Sequence, residues 1–192
     1  MDAIETERLV LRPYTDADAP RVLAIHSRLD VIRWLGNPPY VPMATLDEAR
    51  DWIAAKHHKA EVDPFQRTYA IEVRDTGVVA GSALMSRVTR LGVDEWEGEY
   101  EVGWHLHPDS AGHGYATEAA AAVLDDAFER GLEQVWCGMF AHNEPSARVA
   151  LKIGLHELGF GPDPWYGGEG RIFEATREWW LARRVASQGA SA

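Results

Sequence analysis

The chain has 192 residues, 46% apolar and 26% charged, the proportions of one folded domain rather than of a disordered segment. Its formal net charge of −11 argues against a nucleic-acid role, because gripping a phosphate backbone needs a basic footprint. No apolar run nears the ~20 residues a membrane crossing needs, the opening Met1-Asp2-Ala3-Ile4-Glu5 lacks the basic and apolar regions of a secretory signal, and the lone Cys137, in the apolar run Gln134–Phe140, reads as a buried structural thiol with no disulfide partner, so a cytoplasmic protein is expected.

Leu9-Val10-Leu11 alternates as a first strand that Pro13 ends. Thr15, with Asp18 three residues on, opens a helix by a capping-box variant, with Val22, Ile25 and Leu29 on one face. Asn37-Pro38-Pro39 is a loop. Thr45 and Glu48 repeat the capping pattern ahead of Ala49, Trp52 and Ile53 at helical spacing. Thr68–Val73 and Val78–Leu84 flank Arg74-Asp75-Thr76-Gly77, a hairpin turn. Tyr100–Leu106 is another strand. Tyr115–Arg130 is the best helix: Ala116, Ala119, Ala120, Val123, Leu124, Ala127 and Phe128 follow the i, i+3, i+4, i+7 rule, and Gly131 closes it. Val135–Phe140 is a short buried strand. Pro145 opens a helix near Ser146–Ile153, which Gly154 ends. The glycine-rich stretch Gly161–Gly170 reads as a loop able to act as a lid, Arg171–Arg177 as the last strand, and Ala186–Ala192 as a frayed tail. Residues 100–140 describe a βαβ unit, so two parallel strands flank its helix.

The informative segment joins that strand to that helix: Pro108-Asp109-Ser110-Ala111-Gly112-His113-Gly114-Tyr115-Ala116-Thr117-Glu118-Ala119. A helix start offers unpaired N–H groups and a partial positive charge, and glycines ahead of it let a ligand approach the main chain, which suits a pyrophosphate. Glycine spacing alone fits equally a loop that needs positive φ. No Lys-Ser/Thr follows, so it is not a P-loop, and the third glycine of a dinucleotide fingerprint is missing.

Four ordered segments give a more specific reading. Glu101-Val102-Gly103-Trp104-His105-Leu106-His107-Pro108 with Gly112–Ala119 resembles the coenzyme A segment of the GNAT N-acetyltransferase superfamily, in particular its RimJ/RimL-like group, the ribosomal-protein-serine/alanine type. Thr6–Arg12 resembles that group's opening strand, Ala141–Arg148 with Lys152-Ile153-Gly154-Leu155 its second signature, and Arg171–Trp179 its closing strand. The resemblance covers nearly the whole chain and implies one N-acetyltransferase domain over residues 1–185 with a flexible tail at 186–192. The implied fold is α/β, a mixed, mostly antiparallel sheet with helices on both faces. Ala111 stands where the superfamily pattern has Gln or Arg.

The resemblance implies acetyl-coenzyme A as co-substrate, no metal, and an amine acceptor, either a protein N-terminus or a small amine. It leaves a homodimer open. The coenzyme residues it implies are Ala111, Gly112, His113, Gly114, Ala116 and Thr117 at the loop, Trp104, His105 and Leu106 by main-chain contacts along the preceding strand, and Asn143 and Ser146 at the later helix. Asn143 would bond the pantetheine; otherwise it is a turn residue. Ser146, where many members carry a tyrosine acid, would protonate the leaving thiolate; otherwise it caps the helix. An alkyl amine is mostly protonated at neutral pH, so a base helps. Glu101 is the first candidate and His105 the second, both on one strand face unless Gly103 makes a bulge. His105 and His107 as metal ligands lack a second pair at zinc-like spacing. Trp34, Trp52 and Trp165 are candidates for the acceptor cleft. A non-catalytic acyl-coenzyme-A sensor and a peptide-binding module remain the rival readings.

Overall fold

The computed structural model describes residues 2–189. Among them eight strands and six α-helices follow in the order β1 (Ile4–Glu5), β2 (Leu9–Pro13), α1 (Ala19–His26), α2 (Leu29–Ile32), α3 (Leu46–Val62), β3 (Arg67–Val73), β4 (Val79–Arg87), β5 (Tyr100–Leu106), α4 (Tyr115–Glu129), β6 (Gln134–Phe140), α5 (Glu144–Ile153), β7 (His156–Pro162), β8 (Glu169–Thr176) and α6 (Arg177–Gly189). The strands form one sheet in the order β1-β2-β3-β4-β5-β6-β8-β7. Every neighbouring pair is antiparallel except β5 and β6, the two strands that α4 connects.

The sheet is covered on both faces. On one, α4 lays down the stripe predicted from its spacing, and Ala116, Ala119, Ala120, Val123, Leu124, Ala127 and Phe128 are all buried. They pack with Leu9, Leu11, Ile71, Val102, Val135 and Phe173 from the strands and with Trp180 of α6. Burying each large apolar side chain there contributes about 1.5–3 kcal/mol. On the other face α1 and α3 bury Val22, Ala49 and Ile53 against Tyr14, Ala70 and Val79. Thr45 caps α3, its hydroxyl accepting the Glu48 N–H at 3.2 Å while the Glu48 carboxylate accepts the Ala44 N–H.

Several elements depart from the sequence reading. The helix begun at Thr15 does not reach Leu29: Arg28 is extended, so α2 restarts out of phase and Leu29 is 55% exposed. β7 is absent from the sequence reading: it alternates strictly, but Leu158 and Phe160 lie on its exposed side, and its register with β8 shifts at Gly159. The last strand closes at Thr176, and Arg177 to Gly189 continue as a helix, so the tail expected from residue 186 starts inside α6; residues 190–192 lie outside the described residues. β4 and β5 approach so closely at Gly81 that an added Cβ would lie 2.1 Å from the His105 carbonyl oxygen.

Candidate functional site

The loop before α4 is built by main-chain geometry. Residues 108–110 form one turn of 3-10 helix, closed by the Ser110 and Ala111 N–H groups donating to the His107 and Pro108 carbonyls at 2.9 and 3.3 Å. Gly112 and Gly114 follow, both at φ +83°, a conformation glycine enters without strain. The first intrahelical bond runs from Glu118 N–H to the Gly114 carbonyl at 3.1 Å, so the N–H groups of Tyr115, Ala116 and Thr117 have no helical partner. Those of Gly112, His113 and Gly114 have no main-chain partner among the described residues. The run is thus a cradle of free donors at the positive end of a four-turn helix. Arg8 braces it, donating to the His113 carbonyl at 2.9 Å and, through Nε, to Glu118 at 2.7 Å, while the Thr6 hydroxyl donates to Glu118 at 2.6 Å. Ala111 is a correction: the N–H that the sequence reading assigns to the ligand is spent on Pro108.

A gap opens beside this cradle. β5 meets β6 at a single register pair, Glu101 with Trp136, whereas it pairs with β4 along its whole length. The bonds Val88 N–H to Glu99 carbonyl and His107 N–H to Ala80 carbonyl set the phase of that ladder, so Glu101, Gly103 and His105 spend their main-chain groups on β4. By the same alternation Trp104 and Leu106 aim theirs at the space β6 has left. The His105 amide and carbonyl, which the sequence reading gave to the ligand, belong instead to the ladder. No bulge occurs at Gly103; the register is continuous through it, so Glu101, Gly103 and His105 share one face.

The gap continues into a cavity of about 450 Å³. Glu101 lines it and accepts a 2.5 Å hydrogen bond from the Tyr166 hydroxyl. Burial lifts the Glu101 carboxyl to about 7, against the pull of Tyr166, and the Asp163 charge adds to the lift. His105 lines the same space, its Nε2 buried without a partner and its pKa driven to about 3 by burial and by the neighbouring His26 and Lys56. Cys137 also faces it, where burial and the Glu101 charge hold the thiol protonated. Trp34 and Trp52 line the cavity. Trp165 does not: it is 5% exposed, packs on Trp136 and donates its indole N–H to Glu99 at 2.8 Å, while the next residue, Tyr166, faces the cavity.

Gly161–Gly170 is also corrected. It is the tight end of the β7–β8 hairpin, not a loose lid. Buried Asp163 accepts the N–H groups of Trp165 and Tyr166 at 2.9 and 2.8 Å, the Asn37 amide donates to the Tyr166 carbonyl, and the Leu91 N–H donates to Pro164. At α5, Asn143 performs the capping that the bland reading gave to Ser146: it is buried, and its side-chain oxygen accepts the Ser146 N–H at 3.4 Å. Both residues line the cavity, and the Ser146 hydroxyl has no partner among the described residues. His107 is bound up structurally, its Nε2 accepting from Arg28 Nε at 3.1 Å and its Nδ1 lying 2.8 Å from the Asp109 carboxylate, to which it donates. The sequence reading missed His26, Lys56 and Tyr166, which come from three remote segments that carry no spacing signal of their own.

Residues 8–156 match the acetyltransferase (GNAT) domain family. Among curated proteins, the uncharacterized N-acetyltransferase YoaA of Bacillus subtilis is 29% identical over 163 residues, 81% of this chain and 84% of its own length. YnaD of the same organism, also an uncharacterized N-acetyltransferase, is 26% identical over 92% of this chain and 91% of its own. Among solved structures, an acetyltransferase of Agrobacterium tumefaciens aligns with a TM-score of 0.71 and 25% identity over 91% of this chain and 94% of that one. Mycobacterium smegmatis RimJ, solved with a coenzyme A disulfide, aligns with a TM-score of 0.75 and 20% identity over 97% and 95%.

Proposed function

The chain belongs to the GNAT acetyltransferase family, and on that premise we propose that it moves the acetyl group of acetyl-coenzyme A onto a primary amine by direct attack. The observation that carries this reading is the half-paired β5, whose unused main-chain groups run from the free-donor cradle to a buried carboxylate. The residues fit the coenzyme. The cradle takes a diphosphate through N–H groups from Gly112 to Thr117, and the gap admits an extended arm beside Trp104 and Leu106. When bound, acetyl-coenzyme A supplies the activated thioester.

The chain's own groups divide the remaining work. Glu101, lifted to about 7, is half ionised near neutrality and takes a proton from the incoming ammonium. His105, driven to about 3, is a far weaker base. The Trp104 N–H, aimed into the gap, donates to the thioester oxygen as charge develops there; one such donor contributes about 3–4 kcal/mol. The Ser146 hydroxyl gives the departing thiolate its proton, and Asn143 fixes the helix start that presents it. The Cys137 thiol, held protonated, takes no covalent part. Holding donor and amine together contributes up to about 7–11 kcal/mol. Thiol release from acetyl-coenzyme A, followed over a panel of primary amines including short peptides, is expected to saturate for at least one acceptor. Tight coenzyme uptake with no turnover on any amine would instead identify an acyl-coenzyme-A sensor.

A further inference from the structure

One end of the cavity holds a cation with no carboxylate partner among the described residues. Lys56 projects from α3, half-buried, its ammonium 4.8 Å from the Trp52 ring centroid. The charge that acts on it most is Lys59, also positive, and no carboxylate among the described residues reaches it. Six arginines behave otherwise: Arg8, Arg12, Arg21, Arg87, Arg90 and Arg171 each sit on a carboxylate. A desolvated ammonium is costly unless paired. Burial lowers Lys56 to about 8, which still leaves it mostly charged at neutrality.

A second feature converges on the same corner. The His105 ring lies 5.0 Å from that of His26, which lies 4.9 Å from Trp52, and His105 Nε2 is buried without a partner. Both imidazoles are held neutral, so neither repels Lys56 strongly and each retains one N–H to donate. The other end of the cavity has the opposite sign, with Glu101 under the Tyr166 hydroxyl. Glu101 and His105 are four residues apart on one strand, about 13 Å.

We propose that the acceptor carries a carboxylate as well as its amine, and that Lys56, with the imidazoles of His26 and His105 beside it, receives that carboxylate while the amine lies toward Glu101. This rests on the acetyl-transfer reading of the same cavity and narrows its substrate class. A site built to pair a group rejects the analogue that lacks it, because the site's own partner is then left desolvated and alone. The carboxylate comes either from an ω-amino acid, whose chain separates it from the amine, or from an acidic side chain near a peptide N-terminus.

The test compares matched pairs: ω-amino acids against their carboxamides, and tetrapeptides with Glu against Gln at the second position. The acid of one pair is expected to exceed its neutral partner at least about tenfold in kcat/KM, and the pair that does so identifies the source. Lys56→Met is expected to bring that ratio close to one, and Lys56→Arg to retain most of it. Equal turnover of both members in both pairs overturns the proposal, as does a ratio that survives in Lys56→Met. Calorimetry of the coenzyme-A-loaded protein with the N-acetylated acids and their amides separates the two readings. Tighter binding of an acid with no amine turned over leaves the carboxylate site standing and removes acetyl transfer. Turnover without preference does the reverse.

Discussion

The two sides of the gap are made of different materials. The coenzyme side is main chain: free N–H groups from Gly112 to Thr117 and the half-used ladder of β5, fixed by two left-handed glycines and by the packed stripe of α4. The acceptor side is side chain: Glu101, Tyr166, His105, His26 and Lys56, drawn from four separate segments and displaced from their ordinary ionisation by burial. A main-chain surface recognises any ligand of the right shape and charge and tolerates sequence change. A side-chain surface is where acceptor choice is set, and one substitution can redirect it.

That contrast can be broken by unequal damage. The largest effect is expected at the base: Glu101→Gln should lower kcat by about 10²–10⁴ with coenzyme affinity unchanged, read by steady-state kinetics beside calorimetry. A kcat within a few-fold of wild type would show that solvent takes the proton. On the main-chain side, Gly114→Trp places a bulky side chain at φ +83° against Arg8, and should raise KM for acetyl-coenzyme A by about 100-fold. An unaltered KM in a folded variant would remove the cradle from the site.

Tyr166→Phe sharpens the comparison through pH. Glu101 must be ionised to act, so kcat/KM climbs as pH rises through about 7. The Tyr166 hydroxyl favours the ionised form, and its loss should move that limb toward higher pH by about one unit, the size of a hydrogen bond to a charged group. A limb that stays in place would reduce the contact to packing. The smallest effect belongs to Trp165→Phe, which removes the bond to Glu99 and should cost about 1 kcal/mol in denaturant unfolding. Its acceptor KM should stay within about twofold. A large KM change would return Trp165 to the cleft.

The same division decides what could be read in advance. Gly112, Gly114 and the apolar stripe of α4 advertise themselves by spacing, because main-chain conformation and helix periodicity are local. Glu101 emerges from strand alternation alone. Tyr166 and Trp165 are neighbours, and only the turn that Asp163 organises decides which of them faces inward. His26 ends a helix and Lys56 lies mid-helix with charged neighbours, so their meeting at His105 depends on how α1 and α3 cross the sheet. β7 is hidden because Gly159 and Gly161 fill its inner positions while its apolar Leu158 and Phe160 face outward.

With one register pair between β5 and β6, the sheet is in effect two shorter sheets hinged at Glu101 and Trp136. An elongated guest lying in that cleft would supply rungs the polypeptide omits and brace the two halves against each other. Resistance to heat would then follow guest concentration: at a hundred times its dissociation constant, a ligand of the native state alone adds about 2.7 kcal/mol to unfolding. Melting temperature would become a gauge of how full the cleft is.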